Sequence, residues 1–552
     1  MKVHERVAEK LAELGVAHAF GVIGSGNYAV TRGLVERGVR YTAARHEGGA
    51  AAMADAFARL SGTVPVLTVH QGCGLTNAVT GIGEAAKSGT PMLVLAAEPA
   101  AAAVHSNFRI AQDRLVESVG AVSMRITAGS AVRDIVLAHR TALARGVPVL
   151  VNLPLDVQAA ESTEPDTPPH VPQDAPEASA ADVARLAGLL ARARRPVLIA
   201  GRGGRGAGPE LRRLAEASGA LLATSAVARG LFQGDPFDLD VSGGFSTPLA
   251  AELIGGADLL VSFGCALNMW TMRHGELVGP DTTVVQVDLD PLAPGRHRPV
   301  DLGVVGDAAL TARAVTAALA ADGAKESYRT EEVRARIEGE GRWRKVPYED
   351  LGTAPGTGSA TPGRIDPRTL TIALDRMLDR DRVLAVDSGN FLGYPTMFLD
   401  VPDEFGLCFS QAFQSVGLGL PSAIGAALAQ PGRLPVCGTG DGGLLMAAAE
   451  LETVVRLGLP MVVIVYNDAA YGAEIHHFGR TEADAGFVTF PDADLSAVAR
   501  GYGFAAVTVR GPEDLSGVAD WLAGPRDRPL LIDAKVADGE PSWWLAEAFK
   551  GH

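Results

Sequence analysis

Short runs of consecutive apolar residues alternate along this chain with amphipathic or small-residue stretches. VPVLTVH (64–70), PMLVLAAE (91–98) and VPVLVNLP (147–154) fall in the first third. PVLIAG (196–201), DLLVSFG (258–264) and TVVQVDLD (283–290) fall in the second, and VLAVDSGN (383–390), LPVCGTGDGG (434–443) and LPMVVIVYND (459–468) in the last. Unbroken Val/Ile/Leu runs read as strands buried on both faces, with the intervening helices covering them. Two stretches break the pattern: 161–180 is rich in Pro and acid, and 352–367 in Gly, Pro, Ser and Thr. Both read as linkers. The pattern predicts an α/β chain of three doubly wound parallel-sheet domains, at 1–165, 180–335 and 365–545. A length of 552 residues suits about three domains.

Composition narrows the class. Net charge is −15, which argues against sequence-independent binding to nucleic acid through a basic surface and leaves room for a local basic pocket. The four cysteines, Cys73, Cys265, Cys408 and Cys437, are widely spaced, so a disulfide framework or zinc site is not expected and a reducing cytoplasm is. The first 14 residues read as an amphipathic helix without a signal peptide's apolar core. The longest apolar runs are strand-sized, so no membrane span is expected.

In such sheets, ligands bind beyond the carboxyl ends of strands, and the suggestive residues stand there. The run at 434–437 leads into Gly438-Thr439-Gly440-Asp441-Gly442-Gly443, then a helix over 446–458, then a strand ending in Asn467-Asp468-Ala469-Ala470-Tyr471-Gly472. A right-handed crossover makes the two strands parallel. If they are neighbours, Asp441 and Asp468 meet at one rim. Glycines 440, 442 and 443 let backbone N–H groups approach an anion. Two carboxylates beside an anion loop repel unless a cation sits between them, and Mg²⁺ commonly bridges carboxylates and phosphates. A Gly-rich turn with a helix-capping Asp is the plainer reading of the triplet alone.

GDGG, 23 intervening residues and Asn-Asp resemble the signature of the thiamine-diphosphate (ThDP) enzymes, GDG followed some two dozen residues later by Asn-Asn. The resemblance implies Asp441, Asp468 and the Ala470 carbonyl as metal ligands. The chain departs from the pattern at Asp468, still an oxygen ligand. A second segment, 45–59, is similar to the family's HExxAxxxADxxAR. There the glutamate, Glu47 here, binds N1′ of the aminopyrimidine and favours the tautomer that activates the cofactor. Taken alone, Glu47 is an acid at a helix N-terminus. Segment 413–425 resembles the family stretch that bends the cofactor: Val416 takes the wedge position and the Gln414 carbonyl meets the 4′-amino group. Ser388-Gly389-Asn390 matches the loop touching the diphosphate, with Tyr471 nearby. In the family the glutamate and the diphosphate site come from different subunits, which implies a homodimer or homotetramer with active sites at the interface.

The substrate positions resemble more than one subfamily. His70, in HQGCGLTN, is similar to benzoylformate decarboxylase, and a His there can shuttle protons. Glu474 matches a catalytic acid of pyruvate decarboxylases. His477 stands where acetolactate synthases carry Trp, and Gln112 lies in a segment similar to the border of their pocket. The likeness spans about residues 1–540.

The middle block holds a GxGxxG run, Gly201 to Gly206, but no acidic residue about 20 positions on to complete a dinucleotide site. FAD, which acetolactate synthases bind there, is weighed against a purely structural role, and the residues favour the latter. The expected activity is a ThDP-dependent carboligase that decarboxylates a 2-oxo acid, pyruvate foremost, and transfers the acyl unit to a carbonyl acceptor. A decarboxylase releasing an aldehyde, and a cofactor-binding protein without turnover, stand as alternatives.

Overall fold

The computed structural model describes residues 1–165, 167–168, 174–319, 328–352, 363–478 and 486–548. Its strands form three six-stranded sheets, parallel throughout. The first contains β1 (His18–Gly21), β2 (Arg40–Ala43), β3 (Val66–Val69), β4 (Met92–Glu98), β5 (Val122–Arg125) and β6 (Pro148–Pro154), in the order β2-β1-β3-β4-β6-β5. The second contains β7 (Pro196–Ala200), β8 (Leu221–Thr224), β9 (Asp238–Val241), β10 (Leu259–Phe263), β11 (Thr283–Asp288) and β12 (Leu302–Val305), in the order β12-β11-β10-β7-β8-β9. The third contains β13 (Arg382–Val386), β14 (Leu407–Phe409), β15 (Leu434–Gly440), β16 (Val462–Asn467), β17 (Ala505–Val509) and β18 (Leu530–Lys535), in the order β14-β13-β15-β16-β18-β17. The α/β class and the three doubly wound sheets are as the apolar runs predict. The first and third sheets share one strand order, and the middle sheet has the order of a dinucleotide-binding fold.

The long central strands are buried along their whole length, which is why they read as continuous apolar runs. Short edge strands such as β2 and β5 are half exposed and carry Arg, Thr or Ser. The helix expected over 446–458 is instead two, Asp441–Met446 and Glu450–Arg456, the first starting on Asp441 itself. Of the two linkers, residues 166, 169–173 and 353–362 lie outside the described residues.

Helix Glu47–Ser61 is built of small residues and lies against helix Gly419–Ala429 of the third domain. The approach is close enough that a side chain at Gly425 would stand 2.2 Å from the Met53 carbonyl. One apolar core therefore runs through both domains. No helix among the described residues is long and apolar enough to cross a membrane.

Candidate active site

The sequence candidates fall into two groups, each at the carboxyl edge of a sheet. In the first group Glu47 opens its helix after β2, and its Oε2 accepts from Asn77 Nδ2 at 3.0 Å. The turn before it is seated by Glu450 of the third domain, whose buried carboxylate accepts from the amides of Arg45 and His46. His70 follows β3, beside the reversal of strand order between β1 and β3. Its Nδ1 accepts from Gly26 N at 3.2 Å, so the neutral ring carries its proton on Nε2. Its ring meets the Phe108 ring edge-on. Gln112, expected beside the substrate, is 1% exposed and engages both ends of its amide inside the chain. Its Oε1 accepts from Gly72 N at 3.0 Å and its Nε2 donates to Asn152 at 2.8 Å, which braces the His70–Gly72 loop.

The second group lies at the carboxyl ends of β13, β15 and β16. The register Gly440↔Tyr466 puts Asp441 and Asp468 at neighbouring strand ends, where the notion of a shared rim places them. Both are buried. Burial pushes Asp441 up to about 6, and burial followed by the charge of Asp441 pushes Asp468 well above the usual carboxylate range. Asp468 Oδ1 accepts from Ala470 N at 3.2 Å, while Oδ2 is buried without a hydrogen-bond partner. Gly472 makes room for it, since a Cβ there would stand 2.3 Å from that oxygen. A buried orphan oxygen beside a second carboxylate is the donor set a divalent cation completes. Among the described residues no three His, Cys, Asp or Glu side chains converge on one point. Mg²⁺ takes one or two carboxylates and fills its shell with phosphate, carbonyl and water oxygens.

Asp387, at the end of β13, ties this group together and was not singled out from sequence. Its Oδ1 accepts from Ser388 N and Gly417 N, both at 2.9 Å, and its Oδ2 from Thr439 Oγ1 at 2.9 Å. One carboxylate thus joins the 388–390 loop, the 414–417 segment and the glycine loop containing Gly440, Gly442 and Gly443. Burial raises it to about 6. Gly389 has φ +121°, and Asn390 is buried, with its Oδ1 facing Ser542 N at 3.4 Å. Gln414 is held at φ +58°, a left-handed conformation, and Val416 beyond it stands 36% exposed. Tyr471 packs edge-on against Phe490. Glu474 and His477 are exposed on the short helix Gly472–Phe478.

Among the described residues, neither Glu47 nor His70 makes a side-chain hydrogen bond to the second group. The hydrogen bonds of Glu47 and His70 are to Asn77 and Gly26, all in the first domain.

In the middle domain the glycine run lies where the strand order reverses, between β7 and β10. Its amides are engaged: Gly201 N donates to Phe263 O, Gly203 N to Gly264 O and Gly204 N to Gly201 O, each at 3.0 Å. Arg202 reaches the Ser88 carbonyl, and Arg205 the Arg59 carbonyl at 2.8 Å, so the loop fastens the middle domain to the first.

Comparison with known proteins matches the same three parts. Residues 1–118 match "Thiamine pyrophosphate enzyme, N-terminal TPP binding domain", 183–315 the central domain and 387–534 the C-terminal TPP binding domain. A probable 2-ketoarginine decarboxylase of Pseudomonas aeruginosa is 31% identical, over 92% of this chain and 88% of its own. The chain belongs to the thiamine pyrophosphate enzyme family. A sulfoacetaldehyde acetyltransferase of Rhodobacter capsulatus is 29% identical over 98% of this chain and 95% of its own. A probable acetolactate synthase large subunit of Methanococcus aeolicus is 26% identical over 89% and 85%. Relatives of this thiamine enzyme thus include both transferases and a decarboxylase.

Proposed function

We propose that this chain is a thiamine-diphosphate- and Mg²⁺-dependent carboligase that decarboxylates a 2-oxo acid, pyruvate foremost, and transfers the acyl unit to a carbonyl acceptor. The observation that carries the reading is the buried Asp441–Asp468 pair with its orphan oxygen, set at the end of a glycine loop. Asp441, Asp468 and the Ala470 carbonyl hold Mg²⁺. The amides of Gly440, Gly442 and Gly443, with Ser388, Gly389, Asn390 and Tyr471, hold the diphosphate. The Gln414 carbonyl would accept from the 4′-amino group, and the exposed Val416 would support the cofactor's rings. Thiamine diphosphate, when bound, supplies the carbon that stabilises a carbanion. Glu47 shares a proton at N1′. His70 presents Nε2–H to the substrate's oxygen, and Glu474 and His477 line the acceptor side. Gln112 keeps the His70 loop in place.

A second copy of the chain completes the site. Glu47 sits beside Asn77, whereas the segment before Val416 is anchored to Glu84 (Phe413 N, 2.6 Å). Both anchors are on helix Cys73–Ser88, seven residues and roughly 10 Å apart. Exposed apolar side chains flank each group: Ile23, Tyr28, Phe108 and Ile110 on the first, Val416, Leu445 and Met446 on the second. Such patches mark surfaces that a partner covers, and a homodimer or a homotetramer would cover them. The four unpaired cysteines suit a cytoplasmic protein.

The decarboxylase reading is favoured by one observation: Glu474 is exposed just beyond the metal turn and His70 engages its ring through Nδ1, which leaves Nε2 to face a departing product. The test is a product assay with purified protein, ThDP, Mg²⁺ and pyruvate, read by NMR. Acetolactate or acetoin supports the carboligase, and acetaldehyde alone replaces it with the decarboxylase. Glu47→Gln is expected to slow exchange of the thiazolium C2 proton by about a hundredfold or more. Exchange at the unaltered rate removes Glu47 from its role.

A further inference from the structure

Asn467 precedes Asp468, and both ends of its side chain are engaged within the chain. Its Nδ2 donates to Asp533 Oδ1 at 2.8 Å, and its Oδ1 accepts from Ala469 N at 3.1 Å. Ala469 lies at φ +57°, which an alanine adopts only when its surroundings hold it there. That turn carries the chain from Asp468 to the Ala470 carbonyl.

Behind Asn467 stands a buried ion pair. Asp533 is 0% exposed and Lys535 3%. Both lie on β18, registered against β16 with Val465↔Asp533 and Asn467↔Lys535. Lys535 Nζ is 3.0 Å from Asp533 Oδ2, donates to the Ala493 carbonyl at 2.9 Å and also meets Asp492. Asp533 Oδ2 further accepts from Leu495 N at 3.2 Å. The β16–β18 ladder secures the register without these charges. Burying an ion pair is costly, and apolar replacements are often at least as stable, so stability of the sheet does not account for the pair.

We propose that Asp533 and Lys535 are positioning residues for the metal loop: through Asn467 they hold Ala469 left-handed and so aim Asp468 Oδ2 and the Ala470 carbonyl at one cation. The pair fixes which oxygen of Asp533 faces Asn467, and Asn467 then acts as a splint across the turn. Arg364 supports the same point from the other side, donating to the Asn467 carbonyl at 2.9 Å. The proposal rests on the Mg²⁺-diphosphate reading above.

The experiment is a Mg²⁺ titration of the full-length protein at saturating ThDP, followed by tryptophan fluorescence and calorimetry, with metal-free melting measured in parallel. The unaltered protein comes first, and absence of Mg²⁺-dependent binding there overturns the site reading and this proposal together. With binding established, Asp533→Asn and Asn467→Ser are each expected to raise the half-saturating Mg²⁺ concentration by about ten- to a hundredfold. If Asp533→Asn does not fold, Asn467→Ser decides alone, since it leaves the ion pair intact. A merely structural role lowers the metal-free melting temperature and leaves the Mg²⁺ affinity of the folded protein unchanged. That outcome overturns the proposal.

Discussion

Glu84, on a helix of the first domain, holds the amide of Phe413, in the third, at 2.6 Å. Its other oxygen accepts from Ala412 N at 3.0 Å and from Arg59 at 2.7 Å. Arg59 also pairs with Asp55 at 2.8 Å, and all three charges are buried. The acid and base inside the ADxxAR stretch thus form a buried triad that roots the segment leading to Gln414 and Val416.

Removing the charge at position 84 leaves Arg59 with Asp55 and the Phe409 carbonyl and takes an acceptor from one of the two amides. Breaking a buried pair costs about 3–5 kcal/mol. Because Asp55 remains, Glu84→Gln is expected near the lower end, with a melting temperature several degrees down. Glu84→Ala, which loses both acceptors, falls further. Equal melting temperatures in all three proteins contradict the triad's anchoring role.

Asp468→Asn restores the family's Asn-Asn pair and removes one of two facing buried charges. The metal-free protein is expected to melt at a higher temperature than the parent. The rise in melting temperature caused by Mg²⁺ with ThDP, and reversed by EDTA, shrinks. Melting with and without chelator reads both. A larger Mg²⁺-dependent rise in the variant argues against Asp468 as a ligand.

Asp387 bears on pH. Its folded value, raised to about 6 from 3.8, means ionisation weighs against the folded state. The stability this group confers is complete below about pH 4 and is lost as pH rises through 6. Between pH 5 and pH 7 the loss is about 1 kcal/mol by linkage. Asp387→Asn removes that dependence at a pH-independent cost in hydrogen bonds. The melting temperature of the metal-free parent, relative to the variant, is therefore expected to be greater at pH 5 than at pH 7. A constant difference contradicts the raised value.

What was legible in the sequence is what is local. Central strands are apolar on both faces, so β4, β6, β13, β15 and β16 read directly. Strands β2 and β5 are edge strands with few apolar residues and gave no such signal. The glycine loop, Asp441 and Asp468 share one β-α-β unit, so spacing alone implied their meeting. Glu84, Glu450, Asp387, Asp533 and Lys535 carry no sequence signal, because each is a charge in an apolar, helical or loop context whose partner lies elsewhere in the chain. Glu84 meets Phe413 and Glu450 meets Arg45 across hundreds of residues. For Gln112, no sequence pattern tells an amide that faces substrate from one held between Gly72 and Asn152.

The glycine run at 201–206 makes occupancy and docking rivals. Two of its amides already bridge the crevice between β7 and β10, and its two arginines hold carbonyls of the first domain. A pyrophosphate seated against these amides would compete with those bonds, and in the present arrangement the run works as a lock between the first and middle domains.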